Sequence, residues 1–118
     1  MRLEGFVKKG WGSELIWVTN DKYCSKFLSF NSGSKFSMHF HKDKEESWYV
    51  LSGKFEVHWI DTEDATVNVE SLGEGDAWTN TTLIPHQVIC LEEGTILEVS
   101  TPDSVEDNYR VGKGDSQS

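Results

Sequence analysis

The chain has 118 residues, enough for one domain of the usual size, about 100 to 150 residues, and too few for two. Only 36 % of them are hydrophobic, yet they include five Trp, six Phe and three Tyr, so a few large side chains must fill one small core. The net charge of −9 is concentrated in residues 61–107, which carry twelve acids and no Lys or Arg, a surface that repels phosphate and disfavours nucleic acid as a partner.

No stretch of about 18 apolar residues is present for a membrane span, and the opening Met1-Arg2-Leu3-Glu4-Gly5 lacks the apolar run of a secretory signal. A soluble, cytoplasmic protein with no membrane partner is the expectation. Cys24 and Cys90 are the only cysteines, far apart and in no C-x-x-C arrangement, so two reduced, buried thiols are expected rather than a bridge.

Glycine and Asn/Asp/Ser clusters punctuate the chain, and the segments between them alternate or run as β-branched and aromatic residues. Strands are predicted over 14–18, 23–30, 35–41, 47–51, 54–60, 66–72, 77–80, 86–91 and 95–100. No segment of helical length carries an apolar stripe, so the fold class is all-β, an antiparallel barrel or sandwich. Leu51-Ser52-Gly53-Lys54-Phe55 reads as a hairpin, because Gly53 can supply the positive φ of a tight turn. Beyond it Phe55, Val57 and Trp59 share one face, and Glu56 and His58 point the other way. One domain is expected over 1–111, followed by a flexible tail over 112–118 that has nothing to bury.

Two of the four histidines, His39 and His41, stand at i and i+2 on a predicted strand. Alternation puts both rings on one face with Cα atoms about 6.5 to 7 Å apart, close enough to lean onto one ion. Glu46 follows past the charged turn Lys42-Asp43-Lys44-Glu45 and opens the next strand, and His86 opens a later one after Ile84-Pro85. Three imidazoles and one carboxylate suit a divalent transition metal ion, Mn, Fe, Co, Ni or Zn, rather than Ca or Mg. Trp48 shares the face of Glu46 and is the candidate substrate-binding aromatic.

At these residues the sequence resembles the cupin superfamily. Gly33, His39, His41, Glu46 and Gly53 match the first cupin motif at every fixed position and gap. Gly75-Asp76 and His86 match the second more loosely, with Thr81, Leu83 and Cys90 where proline, glycine and asparagine usually stand. The resemblance implies a small single-domain cupin, a double-stranded jelly roll. Lys9-Gly10-Trp11-Gly12 and Trp48-Tyr49-Val50-Leu51-Ser52-Gly53 are similar to runs in the cupin domain of type II mannose-6-phosphate isomerases, with Gly10 in place of a proline.

Three functions follow from that resemblance: a metal-dependent sugar or sugar-phosphate isomerase-like enzyme, a non-catalytic small-molecule or sugar-binding cupin, or an Fe-dependent dioxygenase. Catalytic residues are left unassigned. An isomerase needs an internal proton acceptor, and the candidates Glu45, Glu56 and His58 lie in a turn or point outward. A homodimer is expected, because the aromatic content exceeds what so small a core hides; Phe6 and Trp11 are the residues expected to cross to the partner.

Overall fold

The computed structural model describes residues 3–117 and contains nine strands and two single turns of 3-10 helix. Two long antiparallel strands organise it: β5 (Glu46–Asp61) and β8 (His86–Ser100), paired from Glu46↔Ser100 to Trp59↔His86. The first half of β5 and the second half of β8 belong to one sheet with β7 (Ala77–Asn80), β3 (Cys24–Phe30), β2 (Gly12–Thr19) and β1 (Phe6–Lys9). Their other halves belong to a second sheet with β6 (Thr66–Gly73), β4 (Met38–Phe40) and β9 (Tyr109–Gly112). The whole is an all-β antiparallel jelly-roll barrel.

Both long strands bend where they pass between sheets, which corrects the sequence reading of 51–55 as a hairpin. Gly53 does take the left-handed conformation, φ +87°, but the residues around it form bulges in one continuous strand. Val50↔Ile96 on one side and Phe55↔Cys90 on the other keep the same partner strand. At the bend Gly94 passes so close that a Cβ would lie 2.1 Å from the Ser52 carbonyl oxygen, so only glycine fits. The predicted strands over 86–91 and 95–100 are likewise one, and the strand expected over 35–41 shortens to Met38–Phe40 with a single bridge at Lys35.

The core between the sheets is aromatic, as the composition requires. Trp11 stacks on Phe30 at 4.5 Å between centroids, and Phe30 meets Phe55 edge-on at 5.3 Å. Trp11, expected to reach a partner, is thus buried in the chain's own core, whereas Phe6 is 67 % exposed. Cys24 and Cys90 are free and buried. Residues 112–116, read as a tail, join the barrel through β9 and three hydrogen bonds: Lys35 N–H to Asp115 Oδ2 at 2.8 Å, Asp115 N–H to Lys35 O at 2.9 Å, and Gly10 N–H to Ser116 Oγ at 3.1 Å.

The outer face of the first sheet carries a row of direct register partners, Phe6, Leu15, Phe27, Leu97, Tyr49 and Ala77, crossing all six strands. No outward-facing residue of β2, β3, β7 or the adjoining halves of β5 and β8 is charged. Among the described residues no helix is long and apolar enough to cross a membrane.

Candidate metal centre

His39 lies in β4, His41 just beyond it, and Glu46 and His86 are the first residues of β5 and β8. His39 and His86 are direct cross-strand partners, and alternation returns His41 to the same face. The four sequence-predicted ligands therefore meet, with one ligand atom from each lying within 4.8 Å of all the others.

The backbone fixes how each ring presents itself. The Nδ1 atom of His39 lies 2.8 Å from the Ser37 carbonyl, that of His41 2.6 Å from the Asp107 carbonyl, and that of His86 2.9 Å from the Ile84 carbonyl. A carbonyl oxygen only accepts, so each Nδ1 carries the proton and each Nε2 keeps its lone pair for the centre. The Nε2 atoms of His41 and His86 are buried with no hydrogen-bond partner, each orphan costing about 1–3 kcal/mol unless something coordinates it. His86 Nε2 lies 2.7 Å from Glu46 Oε1 but off the line of a hydrogen bond, so the two converge on a common point.

The protonation states agree with this. Burial pushes His39 down to about 3, and burial lowers His41 too, so both imidazoles are neutral at physiological pH. Burial opposes ionisation of Glu46, but the Lys44 ammonium 3.3 Å away helps hold its carboxyl well below the usual carboxylate range. Neutral imidazoles with one carboxylate are the donor set that a divalent transition metal ion takes.

Asp107, in the 3-10 turn Val105–Asp107, holds the loop between the ligands, although nothing in the sequence links it to them. Its carboxylate accepts the backbone N–H groups of Lys42 (2.7 Å), Asp43 (3.1 Å) and Lys44 (3.0 Å), while its carbonyl orients His41. Asp107→Ala should therefore weaken metal binding about ten- to a hundredfold, the usual cost of losing a group that orients a ligand. Titration with Co2+ would measure this, and unchanged affinity would show that the loop positions itself.

Beside the ligands lies a buried charge network that the sequence reading did not contain. Lys44 Nζ is 3.3 Å from Glu46 Oε2, 3.4 Å from Glu98 Oε2 and 3.4 Å from Asp103 Oδ1. Lys26 Nζ is 2.7 Å from Asp103 Oδ2 and 3.0 Å from Glu14 Oε1, and Glu14 pairs outward with Lys9 at 3.3 Å. Burial works against both lysines, but Glu98 and the other carboxylates raise them above the usual lysine range. Burial, and then the charge of Glu46, pushes Glu98 up to about 8.

These groups line a cavity of about 450 Å³ that opens from His39, His41 and Glu46, with Trp11 and Phe36 on its apolar wall. Trp48, the expected substrate-binding aromatic, is 1 % exposed: Phe36 and His86 cover its ring, and its indole N–H donates to Glu98 Oε1 at 3.0 Å. Of the three sequence-stated proton acceptors, Glu45 is exposed, and Glu56 and His58 pair with each other at 3.0 Å away from the core. The internal carboxyl that was missing is Glu98. It shares the inward parity of His86, Val88, Cys90, Ile96 and Ser100, a signal hidden by reading β8 as two strands.

The chain matches the family described as Cupin domain over residues 26–102. Among solved structures, an E162A mutant of Bacillus subtilis oxalate decarboxylase OxdC is similar over 92 % of this chain, with a TM-score of 0.77 and 23 % identity. The chain spans only 30 % of that enzyme's chain. KdgF from Halomonas sp. is similar over 80 % of this chain and 81 % of its own, with a TM-score of 0.69 and 19 % identity. Among curated proteins, none matches.

Proposed function

This chain belongs to the cupin family, and we propose that it binds one divalent transition metal ion through His39, His41, Glu46 and His86 and acts on a small hydroxy-carbonyl compound in the adjoining cavity. The observation that carries the reading is the convergence of three lone-pair Nε2 atoms, each fixed by an Nδ1 bond to a backbone carbonyl, on the Glu46 carboxylate. When bound, the ion polarises a carbonyl or hydroxyl oxygen.

Glu98, raised to about 8 and so ionised at mildly alkaline pH, supports an isomerase-like reaction there, because enolisation needs a group that takes a proton from the carbon beside a carbonyl and returns it to the neighbouring carbon. Glu98 lines the cavity, and Trp48 and Lys44 fix its orientation. Those same two contacts favour the second reading, a small-molecule or sugar-binding cupin without turnover, since both Glu98 oxygens are engaged. A screen of aldoses, ketoses and their phosphates with the Mn, Fe and Zn forms tests them: turnover supports the isomerase, and saturable binding alone supports the binding protein. Oxygen uptake confined to the Fe form would replace both with a dioxygenase.

A homodimer is part of the proposal, supported by the apolar row from Phe6 to Ala77. Apart from Lys8 on the edge strand β1, the described strand residues of this face are uncharged, and on a chain of net charge −9 it is the surface on which a second copy meets the least repulsion. Light scattering should give twice the chain mass of 13.4 kDa, and Tyr49→Lys should return the single-chain mass. A wild-type monomer at micromolar concentration would overturn this.

A further inference from the structure

Four cations line the cavity: Lys9, Lys26, Lys44 and Arg110. The three lysines are each within 3.4 Å of a carboxylate, so their charge is already answered. Arg110 is paired with no carboxylate among the described residues. Its position is set by register. On β9, Tyr109 lies opposite Phe40 and stacks on it at 5.1 Å; Arg110 takes the other side of the strand, exposed at the mouth of the cavity and directly opposite the ligand His39. Side chains at such paired positions start about 5 Å apart.

Charge balance then selects the ligand. Glu14, Glu46, Glu98 and Asp103 face the four cations on the cavity wall, so a divalent ion leaves the site with an excess of positive charge. Three imidazoles and a carboxylate leave about two positions open on an octahedral ion, enough for a bidentate oxygen chelate. An arginine at the cavity mouth, across the strand pair from His39, offers a planar fork that matches a carboxylate reaching out from such a chelate.

We propose that Arg110 is a substrate-binding residue that holds the carboxylate of a 2-hydroxy- or 2-oxo-carboxylic acid chelated at the His39, His41, Glu46 and His86 centre. The inference rests on the metal reading and narrows its hydroxy-carbonyl substrate to one that carries the acid group on the adjoining carbon. The ammonium groups of Lys26 and Lys44 stay with their own carboxylates and serve the wall of the cavity instead.

The test uses the full chain loaded with Co2+, with glycolate and its uncharged counterpart glycolamide as probes, followed by calorimetry and by the visible spectrum of the ion. Glycolate should bind and perturb the spectrum, and Arg110→Gln should weaken it about ten- to a hundredfold, with Arg110→Lys in between. Co2+ affinity should be unchanged in both variants, and glycolamide should bind wild type and Arg110→Gln equally weakly. Equal loss of both probes would assign Arg110 a structural role, and glycolate binding that survives Arg110→Gln would remove it from the site. Orthophosphate competing as well as glycolate would overturn the carboxylate assignment. Failure of wild type to take up Co2+ at all would overturn the metal reading itself, and with it the chelate.

Discussion

His41→Ala should lower the affinity for Co2+, Mn2+ or Zn2+ by more than about a hundredfold, beyond the cost of losing an orienting group alone. His41 is the ligand whose ring is held by the distant Asp107 carbonyl, and its Nε2 is buried with no other partner. Removing it deletes a donor that no neighbour can replace. The same loss should appear in unfolding. A metal present at a hundred times its dissociation constant stabilises the folded chain by about 2.7 kcal/mol, and that increment should vanish in the variant. His58→Ala is the control, because His58 pairs with Glu56 on the far side of β5 and should leave both measurements unchanged. Full metal occupancy in a variant lacking His39, His41 and His86 together would overturn the site.

The ligand set was legible because three of its members lie within eight residues and obey strand alternation, a local rule that survives whatever the rest of the chain does. His86 was legible for a similar reason, as the first residue of a strand after Pro85. What surrounds the ligands was not. Lys44 sits in the run Lys42-Asp43-Lys44-Glu45, which reads as a solvated turn, and its inward direction depends on Asp107 capping that turn from 63 residues away. Lys26 carries a signal of its own, since Cys24, Leu28 and Phe30 on the same face of β3 are all buried, but a lone lysine in an apolar row does not announce its counter-charges. The first and last strands escaped because both are only four residues long: Val7-Lys8-Lys9 and Arg110-Val111 alternate too briefly to be told from loop. The missed edge strand β9 is the one that sets Arg110 beside His39, so the substrate side of the site could only be seen once the sheet was assembled.

Lys44→Met should destabilise the metal-free chain by about 3–5 kcal/mol, the cost of stripping the partner from buried charge. The Lys44 side chain is 5 % exposed and stands between Glu46 and Glu98, themselves 3 % and 6 % exposed, so its loss leaves two buried carboxylates facing each other. Part of that cost can be relieved, because Glu98 is already pushed up to about 8 and can stay protonated. Lys44→Met combined with Glu98→Gln should therefore be less destabilised than the sum of the single variants, with a coupling in the range of about 0.5–3 kcal/mol expected for residues in one network. A bound divalent ion should relieve the rest, since it neutralises Glu46 from the other side. Urea unfolding of each variant with and without metal measures all three terms. If metal-free Lys44→Met lost less than about 1 kcal/mol, the level of an exposed pair, the lysine would belong to a hydrated surface bridge and the buried network beside the metal centre would have to be abandoned.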